Sequence, residues 1–190
     1  MTDPAATEVL DFWFGTEPGR VRAEWFGKHA GFDRAIEARF GALVETALQG
    51  GIDAWAGAPR AALARVIVLD QFTRNLYRDQ ARAFAGDALA LAAAQALVAS
   101  GWHLLLRPVE RWFAYLPFEH AEDLPMQNEA MRLFGDLARD EPSLASALEW
   151  AAKHQAVVAR FGRFPHRNAA LGRASSAEEI AFLAQPGSRF

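Results

Sequence analysis

The sequence centres on AALARVIVLDQFTRNLYR (residues 61–78), a stretch that is almost wholly apolar up to Leu69 and strongly polar from Asp70 onward. Residues 61–68 are apolar on nearly every face of a helix, and a helix that is apolar all round is a buried one. If the helix continues, Asp70, Arg74 and Arg78 lie on one stripe, because residues four apart share a helix face. Aspartate and arginine are rarely buried without a partner. The stretch therefore predicts either a buried polar cluster or a helix that ends at a cleft.

The composition predicts a single globular domain over residues 1–190. The 190 residues are 52% hydrophobic with a net charge of −3, values that indicate a folded chain rather than a disordered one. This charge balance gives no electrostatic footprint for nucleic acid. The chain contains no cysteine, which excludes disulfides, thiolate catalysis and zinc bound by cysteine.

The ends and apolar stretches of the chain bear on its location. The first residues, Met1-Thr2-Asp3-Pro4, lack a basic region and an apolar run, so no secretory signal is expected. The low-charge stretch 88–106 contains Gln95, Ser100 and His103, which favours a soluble helix and turn over a membrane span. We therefore expect a cytoplasmic protein with no membrane or nucleic-acid partner. The sequence leaves the oligomeric state open.

Helical spacing of apolar residues recurs along the chain, and no alternating pattern typical of strands is visible. Asp3-Pro4 predicts the start of the first helix and Gly15 its end. Asp87 is expected to cap a helix from Ala88, and Pro117 to end a helix from Val109. The predicted helices cover residues 4–14, 32–48, 59–78, 88–99, 109–116, 124–138, 142–161 and 177–183. The fold class is all-α, with seven to nine helices stacked as α-hairpins.

Local motifs of the common enzyme classes are absent from the sequence. It contains no dinucleotide fingerprint, phosphate-binding loop, Gly-x-Ser-x-Gly elbow or His-Glu-x-x-His pair. No cofactor and no metal are therefore predicted. Any site must be assembled from side chains that lie far apart in the sequence.

Polar side chains concentrate at the ends of predicted helices. Arginine forks suit the paired recognition of carboxylate or phosphate, and histidine beside a carboxylate suits proton transfer. The candidate ligand-binding residues are Asp70, Gln71, Arg74, Asn75, Arg78, Arg163, His166, Arg167 and Asn168. The candidate catalytic residues are His120 with Glu122, and His154. A structural explanation stands beside each of these, namely an ion pair between Asp70 and Arg74, a hydrogen-bonded core histidine at 154, and helix caps or surface arginines elsewhere.

Several segments together resemble one bacterial family. They are Val9-Leu10-Asp11-Phe12-Trp13-Phe14, Leu69-Asp70-Gln71-Phe72-x-Arg74-Asn75-x-Tyr77-Arg78, Glu110-Arg111, Pro117-Phe118-x-His120-x-Glu122-Asp123 and Arg160-Phe161-Gly162-Arg163-Phe164-Pro165-His166-Arg167-Asn168. In this order they are similar to the motifs of the DUF924 family, with Thr73 where the family has proline and Ala121 where it has serine. The resemblance implies a helical fold similar to tetratricopeptide repeats. The family's function is unknown, so the resemblance implies no reaction.

Three hypotheses for function remain open. The leading one is a central cleft that binds a small anionic molecule, a carboxylate or a phosphate, with acid–base catalysis by the histidines. The second is a tetratricopeptide-like scaffold that binds a peptide or protein partner. The third is a metal site formed by His120, Glu122, His154 and His166, although no closely spaced pair of ligands supports it. Arginines that converge inward favour the small ligand, whereas arginines along an open groove favour the peptide.

The role of Arg78 separates a ligand site from a structural ion pair. A structural role requires a carboxylate from another segment, for example Glu110, Glu119 or Glu122. A ligand-binding role requires that Arg78 lacks such a partner and repels Arg74 in the empty protein. The sequence favours the second alternative slightly, because no opposite charge lies one turn away from Arg78 on the expected helix face.

Overall fold

Eight helices and several short 3₁₀ turns make up residues 3–15, 17 and 19–188, the part of the chain that the computed structural model describes. These residues contain no strand, so the prediction of an all-α fold is confirmed. The helices are α1 (Pro4–Phe14), α2 (Ala30–Leu48), α3 (residues 59–76), α4 (Asp87–Ala99), α5 (Pro108–Glu119), α6 (Leu124–Asp140), α7 (Ala145–Phe161) and α8 (Ala177–Leu183). The 3₁₀ turns are Ala23–Trp25, Asp53–Gly57, Ala81–Phe84, Trp102–Leu105, Pro142–Leu144 and Pro165–Arg167.

Helix α3 is the buried centre of the fold, and its winding changes midway. It is α-helical over Pro59–Val66, a π-helix over Ile67–Phe72 and α-helical again over Thr73–Leu76. Residues 66–73 are all buried, which confirms the predicted burial. The π turn was not predicted, because hydrophobic periodicity does not distinguish it from an α-helix.

Side chains satisfy two carbonyl groups at the π turn. The Thr73 hydroxyl donates to the carbonyl oxygen of Leu69 at 2.8 Å, and Nη1 of Arg74 donates to that of Asp70 at 2.8 Å. Buried carbonyl groups need such partners. Thr73 thus supplies a side-chain hydrogen bond that a proline at this position would lack.

The other helices pack around α3. Helices α1, α4 and α5 contact it directly, and α2 packs against its C-terminal part. Helices α5, α6 and α7 follow one another through the short connections 120–123 and 141–144 and pack in sequence order. They therefore form successive α-hairpins, as predicted. The closer likeness to tetratricopeptide repeats stays a prediction.

Aromatic side chains join α1 to the centre of the fold. Trp13 is fully buried, with its ring 5.4 Å from that of Phe113 on α5 and 5.7 Å from that of Phe72 on α3. Phe12 also contacts Phe72, with 6.2 Å between ring centroids. These contacts bury apolar area between α1 and the centre of the fold, which stabilises the fold.

Three of the differences between predicted and observed helix ends affect the position of the candidate site. Helix α3 ends at Leu76, before Arg78. Pro117 lies inside α5, which continues to Glu119 and is buried from Val109 onward. This packing offsets the backbone hydrogen bond that proline cannot donate. Gly86, not Asp87, caps α4. The Asp87 carboxylate is ion-paired with Arg74 instead of capping the helix.

One segment of the described residues, Ala81–Ala99, is long and apolar enough to cross a membrane by length and composition, with a mean hydropathy of 1.3. Core helices of soluble proteins pass the same test, so this is weak evidence for a membrane partner.

Candidate functional site

The centre of the candidate site is Asp70, which the π turn of α3 places in the protein interior with 1% of its surface exposed. Its carboxylate accepts from Nε2 of Gln71 at 2.5 Å and lies 3.0 Å from Nη1 of Arg74 and 2.7 Å from Nδ1 of His120. Burial acts to raise the pKa of Asp70, but the charge of Arg74 and the contacts with His120 and Gln71 outweigh it and hold the pKa below its usual value. Asp70 is therefore ionised at neutral pH, and its predicted pairing with Arg74 is present.

His120 directly follows α5 and is oriented by Asp70. Because a carboxylate only accepts hydrogen bonds, Nδ1 carries the hydrogen and Nε2 keeps its lone pair. Nε2 makes no hydrogen bond to the described residues. Burial lowers the pKa of His120 in spite of the opposing charge of Asp70, so the ring is neutral at neutral pH. An oriented, neutral imidazole with a lone pair is suited to accept a proton.

Arg74 and Arg167 share the carboxylate of Asp87 beside this pair. In Arg74, Nη1 lies 2.8 Å from Oδ1 and Nη2 lies 3.1 Å from Oδ2. Nη1 of Arg167 donates to the same Oδ2 at 3.1 Å. Burial, with the positive charge of Arg74, lowers the pKa of Arg167 to about 10. Arg167 is therefore a buried cation whose charge is incompletely compensated.

The guanidinium of Arg167 is held between two aromatic rings. It lies 4.7 Å from the ring centroid of Phe84 and 4.5 Å from that of Phe164. The residue is 6% exposed, and its Nε is buried without a hydrogen-bond partner among the described residues. Buried donors normally have a partner. The guanidinium of Arg167 is thus held in place with one N–H donor unpaired. This arrangement is expected where a ligand supplies a further hydrogen-bond acceptor.

These residues meet at a cleft of about 380 Å³, a volume typical of small-molecule sites. Its walls come from the π turn of α3, the first turns of α4, the end of α5 and the segment around residues 167–171. The polar residues that line it are Asp70, Asp87, His120, Glu122, Asp123 and Arg167, and the apolar ones are Phe84, Ala88, Leu91, Pro117, Ala121 and Leu171.

A second acid–base pair, Glu119 and His154, is buried next to His120. Nδ1 of His154 lies 3.0 Å from Oε1 of Glu119 and 2.9 Å from the carbonyl oxygen of Trp150. Burial, reinforced by the negative charge of Asp70, raises the pKa of Glu119 to about 8. Burial lowers the pKa of His154 to about 3. Both side chains are neutral at pH 7. His154 does not line the cleft and fits the structural explanation, a hydrogen-bonded core histidine.

The structure assigns Glu122 a different partner from the one predicted. Its carboxylate binds Arg173 through two contacts of 2.6 and 2.8 Å and accepts from the backbone N–H of Phe164 at 2.7 Å. The expected pairing of His120 with Glu122 is therefore wrong, because Asp70 holds His120. Glu122 lines the cleft as part of an ion pair that ties the α5–α6 connection to residues 164–173.

Arg78 and Asn75 lie away from the cleft. Arg78 forms a two-contact ion pair with Asp33 of α2, at 2.9 and 3.0 Å, and Asn75 donates to the same carboxylate at 2.7 Å. The expectation of an unpaired Arg78 is wrong, since the end of α3 at Leu76 turns Arg78 toward α2. Its partner is also none of the three glutamates considered.

Arg163 and Asn168 also have partners outside the cleft. Arg163 contacts both carboxylate oxygens of Glu179 at 2.7 and 2.8 Å, and Asn168 donates to Ser175 and to Glu179. His166 lies against the ring of Phe164, and burial, with the charge of Arg167, lowers its pKa to about 4. Arg163 and Asn168 thus connect the turn after α7 to α8, and none of the three residues lines the cleft.

Sequence reasoning missed Phe84, Asp87 and Arg173 as site residues. Phe84 lies outside the predicted helices, and the sequence predicts only a helix-capping role for Asp87. Arg173 is 51 residues from its partner Glu122. No local sequence pattern indicates pairs that lie so far apart. The one available signal is that a buried arginine needs an acidic partner somewhere in the chain.

The hypothetical metal site is not assembled in the described part of the chain. In that part, no group of three or more histidine, aspartate or glutamate side chains is arranged to hold a metal ion. His120, Glu122, His154 and His166 each interact with other groups instead.

Comparison with known proteins provides a family and a fold but no activity. The model of DUF924, described as a bacterial protein of unknown function, matches residues 9–187. A solved structure, described as the protein of unknown function ATU0120 from Agrobacterium tumefaciens, is 36% identical, with a TM-score of 0.83. The match covers 95% of this chain and 97% of that one. Among curated proteins, none matches this chain.

Proposed function

Because the chain belongs to the DUF924 family of bacterial proteins of unknown function, we propose its function from the site: the cleft binds a small molecule that carries a carboxylate or phosphate group. His120, oriented by Asp70, transfers a proton to or from this molecule or a water beside it.

The observation that carries this proposal is Arg167. It is buried, held between the rings of Phe84 and Phe164, and has an Nε–H without a partner among the described residues. An anionic group at this donor would gain a charge-assisted hydrogen bond. It would also compensate the charge that burial now disfavours.

The residues that line the cleft limit the chemistry. Among the described ones, none is a serine, threonine, tyrosine or lysine, and the chain has no cysteine. Covalent catalysis by a hydroxyl, amine or thiol is therefore not supported. The Asp70–His120 pair supports general acid–base catalysis, in which the carboxylate fixes the tautomer and the imidazole moves the proton.

The direction of the arginines favours a small ligand over a peptide. Arg74 and Arg167 converge on Asp87 in the interior, whereas Arg78 and Arg163 are paired outside the cleft. A scaffold for an acidic peptide would instead present arginines along an open groove. The peptide partner is the weaker alternative, and the cytoplasmic location and the lack of membrane or nucleic-acid partners stay predictions.

Anion-dependent stabilisation tests this proposal. The protein is titrated with acetate, benzoate and inorganic phosphate at constant ionic strength set with chloride, and binding is measured by thermal unfolding and calorimetry. We expect at least one of these anions to stabilise the wild type saturably, by about 2.7 kcal/mol at a hundred times its Kd.

Matched arginine variants localise the effect. Arg167→Gln should weaken anion binding at least roughly tenfold, the effect of losing about 1.4 kcal/mol of binding free energy. Arg163→Gln should leave binding unchanged, because Arg163 is paired with Glu179 outside the cleft. An equal loss in both variants, or a wild type that responds to no anion beyond chloride, would contradict the proposal.

A further inference from the structure

Asp87 holds the position at which an external carboxylate would meet both arginines. Its two oxygens lie 2.8 and 3.1 Å from the paired Nη atoms of Arg74, and Oδ2 also accepts from Arg167. Oδ2 thus accepts hydrogen bonds from both guanidinium groups, whereas Oδ1 is in ion-pair contact with Arg74 without a hydrogen-bond partner among the described residues. Arginines recognise a free carboxylate through charge-assisted contacts of this kind. The carboxylate position at Arg74 and Arg167 is therefore already occupied by a side chain of the protein, Asp87.

The placement of Asp87 differs from that of Asp70. The side chain of Asp87 is 24% exposed and lines the cleft, whereas that of Asp70 is 1% exposed. Asp87 is the first residue of α4, so a rotation about its own side-chain bonds moves the carboxylate toward solvent without a movement of the helix. Of the two carboxylates, Asp87 is therefore the one placed to turn away from the arginines toward solvent.

We propose that Asp87 is an internal competitor, which a carboxylate of the ligand displaces from Arg74 and Arg167. This inference rests on the proposed function and narrows its ligand to a monocarboxylate. When Asp87 is bound, the formal charges of Asp70, Arg74, Asp87 and Arg167 sum to zero, although burial still disfavours the charge of Arg167. A monocarboxylate that takes its place preserves that balance.

A dianionic phosphate does not fit the same exchange. Asp70, Asp87, Glu122 and Asp123 all line the cleft, and the second negative charge of a phosphate would be repelled by them at short range. The apolar part of the lining, which includes Phe84, Leu91, Pro117 and Leu171, instead suits the body of a short-chain or aromatic acid.

Removal of the competing charge tests the inference. The Kd of benzoate is measured by calorimetry for the wild type and for Asp87→Asn, which keeps the shape of the side chain. If Asp87 occupies the arginines in all but about a tenth of the molecules, the variant binds benzoate about tenfold more tightly. An unchanged or weaker affinity overturns the inference, because it makes Asp87 part of the binding surface or irrelevant to it.

Chemical rescue provides a second measurement, which a folded but destabilised variant still allows. Asp87→Ala leaves an empty carboxylate position at the two arginines, so acetate should restore its unfolding temperature saturably, and chloride or phosphate should do so much less. The matched control is Asp33→Ala, which removes the two-contact partner of Arg78 outside the cleft. Equal rescue of both variants, or none of Asp87→Ala, counts against the inference.

The two proposals fail in different ways. If the wild type binds benzoate but Asp87→Asn does not bind it more tightly, the competitor role alone is wrong. If neither the wild type nor Asp87→Asn binds any of the anions, the proposed function is wrong and the competitor role with it.

Discussion

At the scale of single residues, the site depends on how one carboxylate is kept charged inside a protein core. Asp70 would be costly to bury as an anion by itself. Arg74 supplies the opposite charge, and Gln71 and His120 supply further contacts. The hydrogen bond from His120 to Asp70 also holds His120 in one tautomer. The same contact therefore stabilises the charge of Asp70 and prepares His120 for proton transfer.

Replacement of Asp70 should therefore be far more costly than replacement of a comparable carboxylate near the surface. We expect Asp70→Asn to lower the free energy of unfolding by roughly 3–5 kcal/mol, because a buried ion pair loses one partner. Asp33→Asn, at the partly exposed pair with Arg78, should cost about 1 kcal/mol. Urea denaturation of both variants measures their free energies of unfolding. Equal losses of this free energy would show that the ion pair of Asp70 is no more stabilising than that of Asp33.

At the scale of secondary-structure elements, the π turn of α3 and the start of α4 fit closely together. Gly86 lies against the π turn so tightly that an added Cβ would be 2.1 Å from the carbonyl oxygen of Leu69. This contact sets the position of the first turn of α4, and hence that of Asp87 at the cleft. The glycine is required here for close approach of two backbones.

Paired glycine substitutions test this contact. Gly86→Ala should destabilise the protein by about 1–3 kcal/mol, because the backbone of α4 must move away from α3. Gly135→Ala, in α6 with open space around the new methyl group, should stabilise the protein by about 0.5–1 kcal/mol, since alanine is the better helix former. Thermal unfolding of both variants shows whether each substitution raises or lowers the stability of the protein. A Gly86→Ala protein as stable as the wild type would show that the two elements are not tightly fitted.

At the scale of the whole molecule, buried titratable groups set the dependence of stability on pH. The pKa of Glu119 is about 8 in the folded protein and ordinary in the unfolded chain, so the folded state holds a proton that the unfolded state releases. Glu119 thus makes stability fall as the pH rises toward 8. The pKa values of His154 and His166 are lowered to about 3 and about 4, so these residues make stability fall as the pH drops below that of an ordinary histidine.

The two effects predict maximal stability near pH 6.5, where the two histidines are half protonated in the unfolded chain and their effect on the slope cancels that of Glu119. Between that pH and pH 8, Glu119 should cost about 2 kcal/mol, since one pKa unit corresponds to about 1.4 kcal/mol. Glu119→Gln mimics the protonated form and should remove this alkaline decline.

Urea midpoints across the pH range measure the decline. The control is Glu122→Gln, which breaks the ion pair with Arg173 and should lower stability at every pH above the usual glutamate range while the alkaline decline persists. An alkaline decline of equal size in Glu119→Gln and the wild type would show that Glu119 is not the group responsible.

Much of the fold could be predicted, because helices are specified by short-range spacing. Capping of α1 by Asp3 and Pro4, the buried run before Asp70 and the pair of Asp70 with Arg74 all depend on residues within one or two turns. The prediction for Arg78 was wrong because it assumed that the helix continued to residue 78. A small error at a helix end redirects every side chain beyond it.

The sequence by itself thus determined an all-helical chain with a buried central helix that carries a charged pair, since 3.6-residue periodicity and one-turn ion pairs are local properties. Only the tertiary structure decided which distant groups complete the site. His120 is 50 residues from Asp70, and Arg167 is 80 residues from Asp87. The sequence offers each arginine many aspartates and glutamates as possible partners. The Coulomb attraction between two charges depends on their distance in space, not on their separation along the sequence. The packing of α3, α4, α5 and the turn after α7 makes that choice, because it alone sets which charges are close together and shielded from water.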